Sequence, residues 1–403
     1  MKFFIISELY PPLTPWLYED RVPKGMPAVY NLFQHLGHSE EHQFYSIIVN
    51  REQNRTLHFP NGSRIELIRF RFPFYYAWKL LVFFYLFLVG ARVLRREKFD
   101  VVYGLSTFST VASILGKRFG VFSVSRIYGT ILTDPVKKRQ YFKLYTRYLF
   151  DILAIRYASD LLLCTQDGTQ FDRVVHFFDS RKRVDFLYNG MERQLKRRLL
   201  QIPLVERLPD DVELRICYIA RLFPYKRQWL GIALVEELVR RHGLRVRLNI
   251  LGTGPEEAGL RKMVADKGLM DCVYFIPEMP QDQLPDFVAR HHLSLFFYIG
   301  GSLGNTMWEN ALAGRLICTI DNGGTAEVFE DQVNALIAAD EADFPVVMAQ
   351  KIAAWVGKDV SAITGAGRDL VDGIILDWEK RFARELALIE ARKTQQRKLH
   401  LHV

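Results

Sequence analysis

Short apolar runs alternate with helix-like patterns along all 403 residues, and this alternation limits the fold more than any other feature of the chain. The first half contains runs such as KFFIIS, FDVVYGL and SDLLLCT, and the second half contains ELRICYIA, RVRLNILG and RLICTI. Strands that alternate with helices predict a parallel sheet with crossover helices. Two such series predict an α/β chain of two doubly wound domains, with ligands at the carboxyl ends of the strands.

The domain boundary is expected where the strand patterns stop. A turn signal, Asn189-Gly190, is followed by a polar, charged connector, and the next strand begins near Glu213. We therefore predict a first domain over 1–190 and a second over 191–375. The tail predicts an amphipathic helix over about 376–395 that runs into a basic, frayed end.

The composition narrows the class of partner. A net charge of +9 favours polyanions, which are nucleic acid, an anionic membrane face or phosphorylated small molecules. The basic residues are dispersed and no nucleic-acid module is visible, so we expect no nucleic acid. The four cysteines lack CxxC spacing, which is typical of free thiols in a reducing compartment. The start, MKFFIISELYPP, predicts a first strand rather than a signal peptide, and we expect a cytoplasmic protein.

One segment raises the question of a membrane. The run FPFYYAWKLLVFFYLFLVGARVL has only twelve uncharged residues between Lys79 and Arg92, whereas a spanning helix needs about 20. Aromatic residues and arginines at 69–96 predict a helix that is buried on one side and lies on the inner face of the plasma membrane on the other. A plain core helix and a true membrane span are the alternatives.

Two loops in the second half have the residue types of an anion site. Arg221 and Lys226 follow a strand in IARLFPYKRQW and precede a helix, where a planar guanidinium and an ammonium can meet a phosphate. A solvated basic loop is the alternative. In LNILGTGPEE, Gly252 and Gly254 allow close backbone approach, and Pro255 suits a first helical turn. No third glycine completes a dinucleotide fingerprint, and a plain strand-to-helix turn is the alternative.

The stretch YIGGSLGNTMWENALAG adds a glycine loop and one carboxylate between two strands. Its glycines open into a helix that starts near Asn305, and Glu309 lies one turn further on the face that looks back at the loop. A carboxylate there can accept hydrogen bonds from the two hydroxyl groups of a ribose. An ordinary exposed helix glutamate is the alternative. A fourth turn, DNGGTAEVFED, follows the next strand. The four turns predict one crevice at the strand ends.

These residues, in ARLFPYKR, LGTGPEE and GSLGNTMWENALAG…DNGGTAE, resemble the family 4 retaining glycosyltransferases of the GT-B fold, also called group 1 glycosyltransferases. The resemblance covers most of 213–339. It implies two Rossmann-like domains that face each other across a cleft, with the C-terminal helix crossing back to the first domain. It also implies a nucleotide-sugar donor, of UDP or GDP type, bound by the second domain.

The resemblance assigns roles to residues. Arg221 and Lys226 would meet the diphosphate and, with Glu309 on the ribose, form the catalytic set. The donor-binding set comprises Gly252, Gly254, Pro255, Gly301, Ser302, Leu303, Gly304, Asn305 and Glu309. Gly25, Tyr128 and Gly129 would lie on the acceptor side. No metal or other cofactor is expected.

The chain departs from the family pattern at two positions. Gly301 stands where the family has a first glutamate that reads the donor sugar, so backbone groups, Ser302 or Asn305 would take over. Tyr128 stands where the family often has histidine, and a phenol is a poorer acid or base near neutral pH. His35, His38 and His42 have a spacing that could suggest a metal, but they straddle Gly37 at a helix end.

The expected function is retaining, metal-independent hexosyl transfer to a membrane-associated, lipid-linked or surface-polysaccharide acceptor, as in lipopolysaccharide or other polysaccharide biosynthesis. In this hypothesis cations and helix N-termini stabilise the leaving diphosphate, whose oxygen takes the acceptor proton. Alternatives are a nucleotide-sugar-binding protein with lost activity, acting as a scaffold, and an epimerase-like enzyme. A dehydrogenase would need the missing GxGxxG.

Overall fold

The computed structural model describes residues 1–23, 25–157, 159–301 and 303–401. The chain divides into two compact units. Unit 1 comprises 1–165, 171–187 and the residues from Trp378 onward, and unit 2 comprises 166–170 and 188–377. The short segment 166–170 thus groups with unit 2, although the sequence placed it inside a first domain of 1–190.

Unit 1 is built on an eight-stranded sheet in the order β3-β4-β2-β1-β5-β6-β7-β8. Its strands are β1 (Lys2–Glu8), β2 (Gln43–Asn50), β3 (Arg55–His58), β4 (Arg64–Arg69), β5 (Val101–Leu105), β6 (Phe122–Ile127), β7 (Leu161–Thr165) and β8 (Asp185–Leu187). All neighbouring strands are parallel except β3, which runs antiparallel to β4 at the edge. The helices between them are α1 (Thr14–Glu19), α2 (Pro27–Gly37), α3 (Tyr75–Arg96), α4 (Ser109–Phe119), α5 (Thr133–Lys137), α6 (Tyr141–Arg147), α7 (Leu149–Arg156) and α8 (Phe171–Phe178).

The side-chain alternation of β1 explains the layers of unit 1. Phe3 and Ile5 point to one face, in a core shared with α1 and α2, whereas Phe4 and Ile6 point to the other face, in a core shared with α3 and α4. Both faces of the sheet are therefore covered by helices, which is why the central strands are apolar throughout.

Unit 2 has a six-stranded parallel sheet in the order β11-β10-β9-β12-β13-β14 around a single core. Its strands are β9 (Leu214–Ile219), β10 (Val246–Leu251), β11 (Val273–Ile276), β12 (Leu293–Phe296), β13 (Leu316–Asp321) and β14 (Leu336–Ala339). Its helices are α9 (Arg193–Leu200), α10 (Gln228–Arg240), α11 (Glu257–Asp266), α12 (Leu284–Val288), α13 (Asn305–Leu312), α14 (Phe344–Ala353) and α15 (Ser361–Ile374). The two Rossmann-like parallel sheets predicted from the sequence are confirmed.

Three local expectations differ from the structure. The charged connector after residue 190 contains a helix, α9, because Leu195 and Leu199 bury one face of it. Pro255 precedes helix α11 rather than opening it, since α11 begins at Glu257. The C-terminal helix α16 (Trp378–Leu401) continues through the basic stretch that was expected to fray.

Helix α16 packs into unit 1, where Phe382 and Ile389 join the core of β1 and α2. Its Glu385 is buried, forms ion pairs with Arg126 and Arg381, and accepts a hydrogen bond from the hydroxyl group of Tyr103. The guanidinium of Arg126 also donates to Thr165 Oγ1 at 2.9 Å. This network links the last helix of the chain to β5 and β6.

Candidate functional site

The four turns singled out from the sequence lie at one edge of the unit 2 sheet. They follow β9, β10, β12 and β13, and all neighbouring strands of this sheet are parallel, so all four leave its carboxyl edge. The chain order reverses at β9, which has β10 on one side and β12 on the other. A crevice at such a switch point is where open parallel sheets bind ligands.

Hydrogen bonds join the turns after β9 and β12 directly. The amide of Ile299 donates to the carbonyl of Tyr225 at 2.9 Å. The hydroxyl group of Tyr218 donates to the carbonyl of Lys226 and accepts from the amide of Phe297 at 3.2 Å. The loop that carries the two cations is therefore held against the glycine loop.

Lys226 is a cation without a counter-ion. Its Nζ lies 3.5 Å from the ring centre of Tyr298, and no carboxylate lies within ion-pair distance of it in the part of the chain that the structure describes. Burial, with a further contribution from Arg221, lowers the pKa of Lys226 to about 8. A bound anion would restore the charged form of this side chain.

Arg221 lies on the same loop and is exposed. Its Nη2 donates to the hydroxyl group of Tyr225 at 3.1 Å, and its carbonyl accepts from Gln228 Nε2 at 3.0 Å. The backbone at Arg221 is thus fixed by α10, while the side chain reaches solvent beside Lys226. Two neighbouring cations in this position suit a diphosphate.

Glu309 is buried in α13, with only 4% of its surface exposed. Burial raises the pKa of its carboxyl to about 7, and a hydrogen bond with the side chain of Gln281 opposes that rise. No cation forms an ion pair with it among the described residues. A buried acid without a cation is costly unless hydrogen-bond donors reach it, and sugar hydroxyls are such donors.

The rest of the glycine loop leads into α13. Gly304 is the residue before the helix, Leu303 is buried, and the side chain of Asn305 accepts from Asn189 Nδ2 at 3.2 Å. Ser302, which the sequence proposed as a donor ligand, lies outside the described residues.

Gly252 and Gly254 serve the contact between two turns. A Cβ at Gly252 would lie 2.2 Å from the carbonyl oxygen of Ala220, and one at Gly254 would lie 2.3 Å from that of Leu222. The amide of Leu222 donates to the carbonyl of Thr253 at 2.9 Å. These glycines therefore let the turn after β10 press against the cation loop.

Gly301 contacts a segment that sequence reasoning missed. Its φ is +152°, and a Cβ there would lie 2.8 Å from the carbonyl oxygen of Asp167. A Cβ at Gly324 would lie 1.9 Å from the carbonyl oxygen of Gly168. The segment 166–170 thus fits between the turns after β12 and β13, which explains why no larger residue stands at 301. The only sequence signal for this contact is Gly168, in the stretch QDGTQ.

The residues expected on the acceptor side lie in unit 1. Tyr128 and Gly129 directly follow β6, and Gly25 precedes α2. The guanidinium of the buried Arg126 lies 4.5 Å from the ring centre of Tyr128, and burial raises the pKa of that phenol. Gly129 has φ +99°, which favours glycine.

The described part of the chain holds no group of three His, Cys, Asp or Glu side chains that could bind a metal. The three candidate histidines have other contacts: His35 stacks on Phe382, His38 Nδ1 lies 2.9 Å from the carbonyl of Gln34, and His42 Nδ1 lies 3.0 Å from the terminal amine.

Among the described residues, one helix is long and apolar enough to cross a membrane. It is Tyr76–Arg96, within α3, and a third of its most apolar window is buried in the protein. The buried side includes Trp78, Val82 and Leu86, and Lys79 is buried in an ion pair with Glu8 at 3.5 Å.

Comparison with known proteins finds a family model that matches part of the chain. Residues 206–356 match the family model described as glycosyl transferases group 1. A curated relative, the phosphatidylinositol N-acetylglucosaminyltransferase gpi3 subunit of Schizosaccharomyces pombe, is 26% identical over 151 residues, which are 38% of this chain. The chain spans about a third of the length of that relative.

Solved structures match over nearly the whole chain. The apo form of the lipopolysaccharide outer core galactosyltransferase WaaB matches with a TM-score of 0.68 and 14% identity. The match covers 96% of this chain and 99% of that one. HepE of Anabaena in complex with UDP has a TM-score of 0.65 with 14% identity, covering 96% of this chain and 100% of that one. Residues 206–356 are therefore similar to group 1 glycosyltransferases, and the chain shares the GT-B fold of these solved structures.

Proposed function

We propose that the protein is a glycosyltransferase that takes its donor sugar from a uridine diphosphate sugar bound at the carboxyl edge of unit 2. The observation that carries the proposal is that uncompensated groups of two kinds lie around Tyr298: Lys226 Nζ is 3.5 Å from its ring centre, and Glu309 interacts electrostatically with it. Lys226 and Arg221 supply positive charge for a diphosphate, and the buried Glu309 supplies acceptor oxygens for a ribose. HepE in complex with UDP, which has the same fold, supports UDP over other nucleotides.

The chemistry of transfer follows from these groups. The bond from the sugar to the diphosphate breaks, and negative charge grows on the leaving phosphate oxygen. Lys226 and Arg221 would stabilise that charge from a partly water-excluded position, where a fixed donor is worth about 3 kcal/mol. We propose that no metal ion is needed for this role.

We further propose that the reaction retains the anomeric configuration. Tyr128 is held neutral by a raised pKa, so it is a poor base for the acceptor hydroxyl. The leaving phosphate oxygen can take the acceptor proton on the face from which it departs. The acceptor oxygen then bonds to the anomeric carbon on that same face.

For the acceptor we propose a lipid-linked or surface saccharide at the cytoplasmic face of a membrane. One side of α3 exposes Tyr76, Leu80, Phe84 and Leu88, which are spaced four residues apart. Arg92, Arg95 and Arg96 are at its end, where anionic lipid headgroups would meet them. The similarity to a phosphatidylinositol N-acetylglucosaminyltransferase subunit of S. pombe supports a lipid acceptor.

Titration calorimetry with UDP, in buffer with EDTA and then with Mg²⁺, tests the donor site. We expect the wild type to bind UDP in both buffers. Glu309→Ala and Lys226→Ala should each lose affinity by about tenfold or more, because each removes a charge-assisted contact. Asp266→Ala and Lys262→Ala, at the exposed end of α11, are matched controls and should bind as the wild type does.

Unchanged affinity in both site variants would remove the assignment of this crevice. A requirement for Mg²⁺ would leave the site in place and refute metal independence.

A second candidate is a protein of the same fold that binds a nucleotide sugar without transferring it. The observation in its favour is the segment 166–170, which lies where the family pattern would place a sugar-reading glutamate. Consumption of UDP-sugar only when an acceptor is present would exclude this reading.

A further inference from the structure

A buried amide side chain lies beside the glycine turns with one atom unused. Gln170 has only 2% of its surface exposed, and its Nε2 donates to Glu327 Oε1 at 3.2 Å. Its Oε1 has no hydrogen-bond donor among the described residues. Because a carboxylate only accepts, the NH₂ group must face Glu327 and the oxygen must face away from it.

The backbone of Gln170 is held in a costly conformation. Its φ is +54°, which a residue other than glycine adopts only where the surroundings enforce it. A Cβ at Gly323 would lie 2.9 Å from Gln170 Nε2, so the amide packs directly on the turn after β13. Strained non-glycine residues of this kind concentrate at binding sites.

The segment around Gln170 is fixed to both glycine turns. Gly168 packs against Leu303 and Gly301 on one side and against Gly324 on the other. Asp167 Oδ1 accepts from the amide and the hydroxyl group of Thr169, which closes the turn. Gln170 is thus placed by contacts to the turns after β12 and β13 of the candidate donor site.

A second amide oxygen without a donor borders the same loop. Asn189 Nδ2 donates to Asn305 Oδ1, and Asn189 Oδ1 has no partner in the described chain. Buried acceptors without donors are rare in folded proteins, and each calls for an explanation. A ligand rich in hydroxyl groups satisfies such acceptors.

We propose that Gln170 is a specificity-determining residue that accepts a hydrogen bond from a hydroxyl group of the donor sugar, with the exposed carboxylate of Glu327 accepting from another. The proposal rests on the proposed function, since it names which part of a nucleotide sugar these residues contact. It assigns sugar reading to the segment 166–170 together with the turn after β13. Gly301 itself contributes only the room that this segment needs.

The test compares UDP with UDP-sugars, by titration calorimetry on the full chain. The panel is UDP, UDP-glucose, UDP-galactose and UDP-N-acetylglucosamine. For Gln170→Ala we expect UDP affinity within about twofold of the wild type, and a loss of about tenfold for the best UDP-sugar. The matched control is Gln140→Ala, which removes another amide with an unpartnered oxygen in unit 1.

Glu327→Gln is the second variant. The side chain of Glu327 is exposed, so replacing its carboxylate by an amide of similar size leaves the packing of Gln170 intact. It lets the Gln170 amide turn over, so the preference among the three UDP-sugars should narrow while UDP affinity stays.

Equal losses for UDP and UDP-sugar in Gln170→Ala would mean a structural role and overturn the proposal. Unchanged UDP-sugar affinity and preference in both variants would also overturn it. Failure of the wild type to bind UDP at all would instead refute the proposed function itself, and this inference with it.

Discussion

The two titratable side chains of the candidate donor site are shifted by burial in opposite senses. The pKa of Glu309 is raised to about 7, and that of Lys226 is lowered to about 8. Each shift disfavours the charged form, and neither side chain has a counter-ion in the described part of the chain. Burial therefore brings the titration of both groups close to working pH, and a ligand that pairs with them would favour their charged forms.

UDP affinity should consequently first rise and then fall as pH increases. As pH rises through about 7, Glu309 ionises and becomes a better acceptor for ribose hydroxyls, so affinity should rise. As pH rises through about 8, Lys226 loses its proton, so affinity should fall. Calorimetry from pH 6 to 9.5 measures this.

Two conservative variants separate the rise in UDP affinity from the fall. Glu309→Gln should lose the rise near pH 7 and keep the fall, and Lys226→Arg should keep the rise and lose the fall. The second ionisation of the UDP phosphate, at about pH 6, affects the wild type and both variants equally, so it cancels when their profiles are compared. A profile that is unchanged in both variants would contradict the assignment.

Gly301 gives a prediction about stability. Gly301→Ala would force a Cβ against the backbone of Asp167 at a positive φ, and should lower the free energy of unfolding by about 1–3 kcal/mol. The control is Gly259→Ala in α11, where nothing lies within 4 Å and alanine should stabilise by about 0.5–1 kcal/mol. Urea unfolding of the wild type and both variants measures these changes in the free energy of unfolding. Equal effects would mean that 301 tolerates a side chain.

The sequence predicted the cation loop and the place of Glu309, because strand ends and helix starts leave strong local signals. It could not predict why residue 301 is glycine. The neighbours that exclude a side chain there, the backbone atoms of Asp167 and Gly168, are more than a hundred residues away along the chain and are brought close only by the fold.

At the scale of single elements, α3 has two different faces. Phe83 packs against Phe108 and Phe150, with ring centres 4.8 and 5.1 Å apart, so it belongs to the core. Leu80, Phe84 and Leu88 are each more than half exposed. The predicted half-buried helix is therefore present, and its contact with a membrane stays a proposal.

Replacing Leu80, Phe84 and Leu88 together by serine should weaken binding to anionic vesicles by about tenfold or more, because each lost apolar side chain is worth about 1.5 kcal/mol or more when buried. Thermal stability should not fall, since all three are exposed. Vesicle co-sedimentation is the measurement. A control variant carries serine at Val212, Met270 and Val333, which are exposed apolar residues of unit 2. Equal binding by both variants would refute the membrane face.

The elements that sequence reasoning missed share a cause. Strand β3 has the sequence RTLH, pairs only with β4 and alternates between half-buried and exposed positions, so it lacks an apolar run. Half of the residues of helix α9 are basic, and its two buried leucines are too few to show a helical period. Elements stabilised mainly by their neighbours leave little trace in their own sequence.

At the scale of the whole molecule, α16 completes unit 1 through a buried charge network. Burial alone would raise the pKa of Glu385, but Arg381 and Arg126 lower it below its usual 4.5. A carboxyl with a lowered pKa contributes stability at pH values above 4.5, and this stability is lost as pH falls through the folded-state value.

Glu385→Gln should therefore lower the free energy of unfolding of unit 1 at pH 7 by about 3–5 kcal/mol, because it leaves two buried guanidinium groups without their carboxylate. The difference from the wild type should shrink below pH 4.5. Glu390→Gln, exposed on the same helix, should change stability by less than about 0.5 kcal/mol. Denaturant unfolding at pH 7 and pH 4 tests this. A pH-independent difference would mean that packing rather than charge is lost.

The position of α16 also has a consequence for how the protein is made. The last strand of unit 1 has been synthesised at Leu187, but 190 further residues are added before the helix that covers the sheet begins at Trp378. At bacterial or eukaryotic synthesis rates of about 5–20 residues per second, the sheet waits roughly 10–40 s for its last helix. During that time Arg126 has no carboxylate and the face that Phe382 will cover is open. All of unit 2 is synthesised before α16, so unit 1 would be the last of the two units to finish folding, and its uncovered face is where a chaperone would bind the nascent chain.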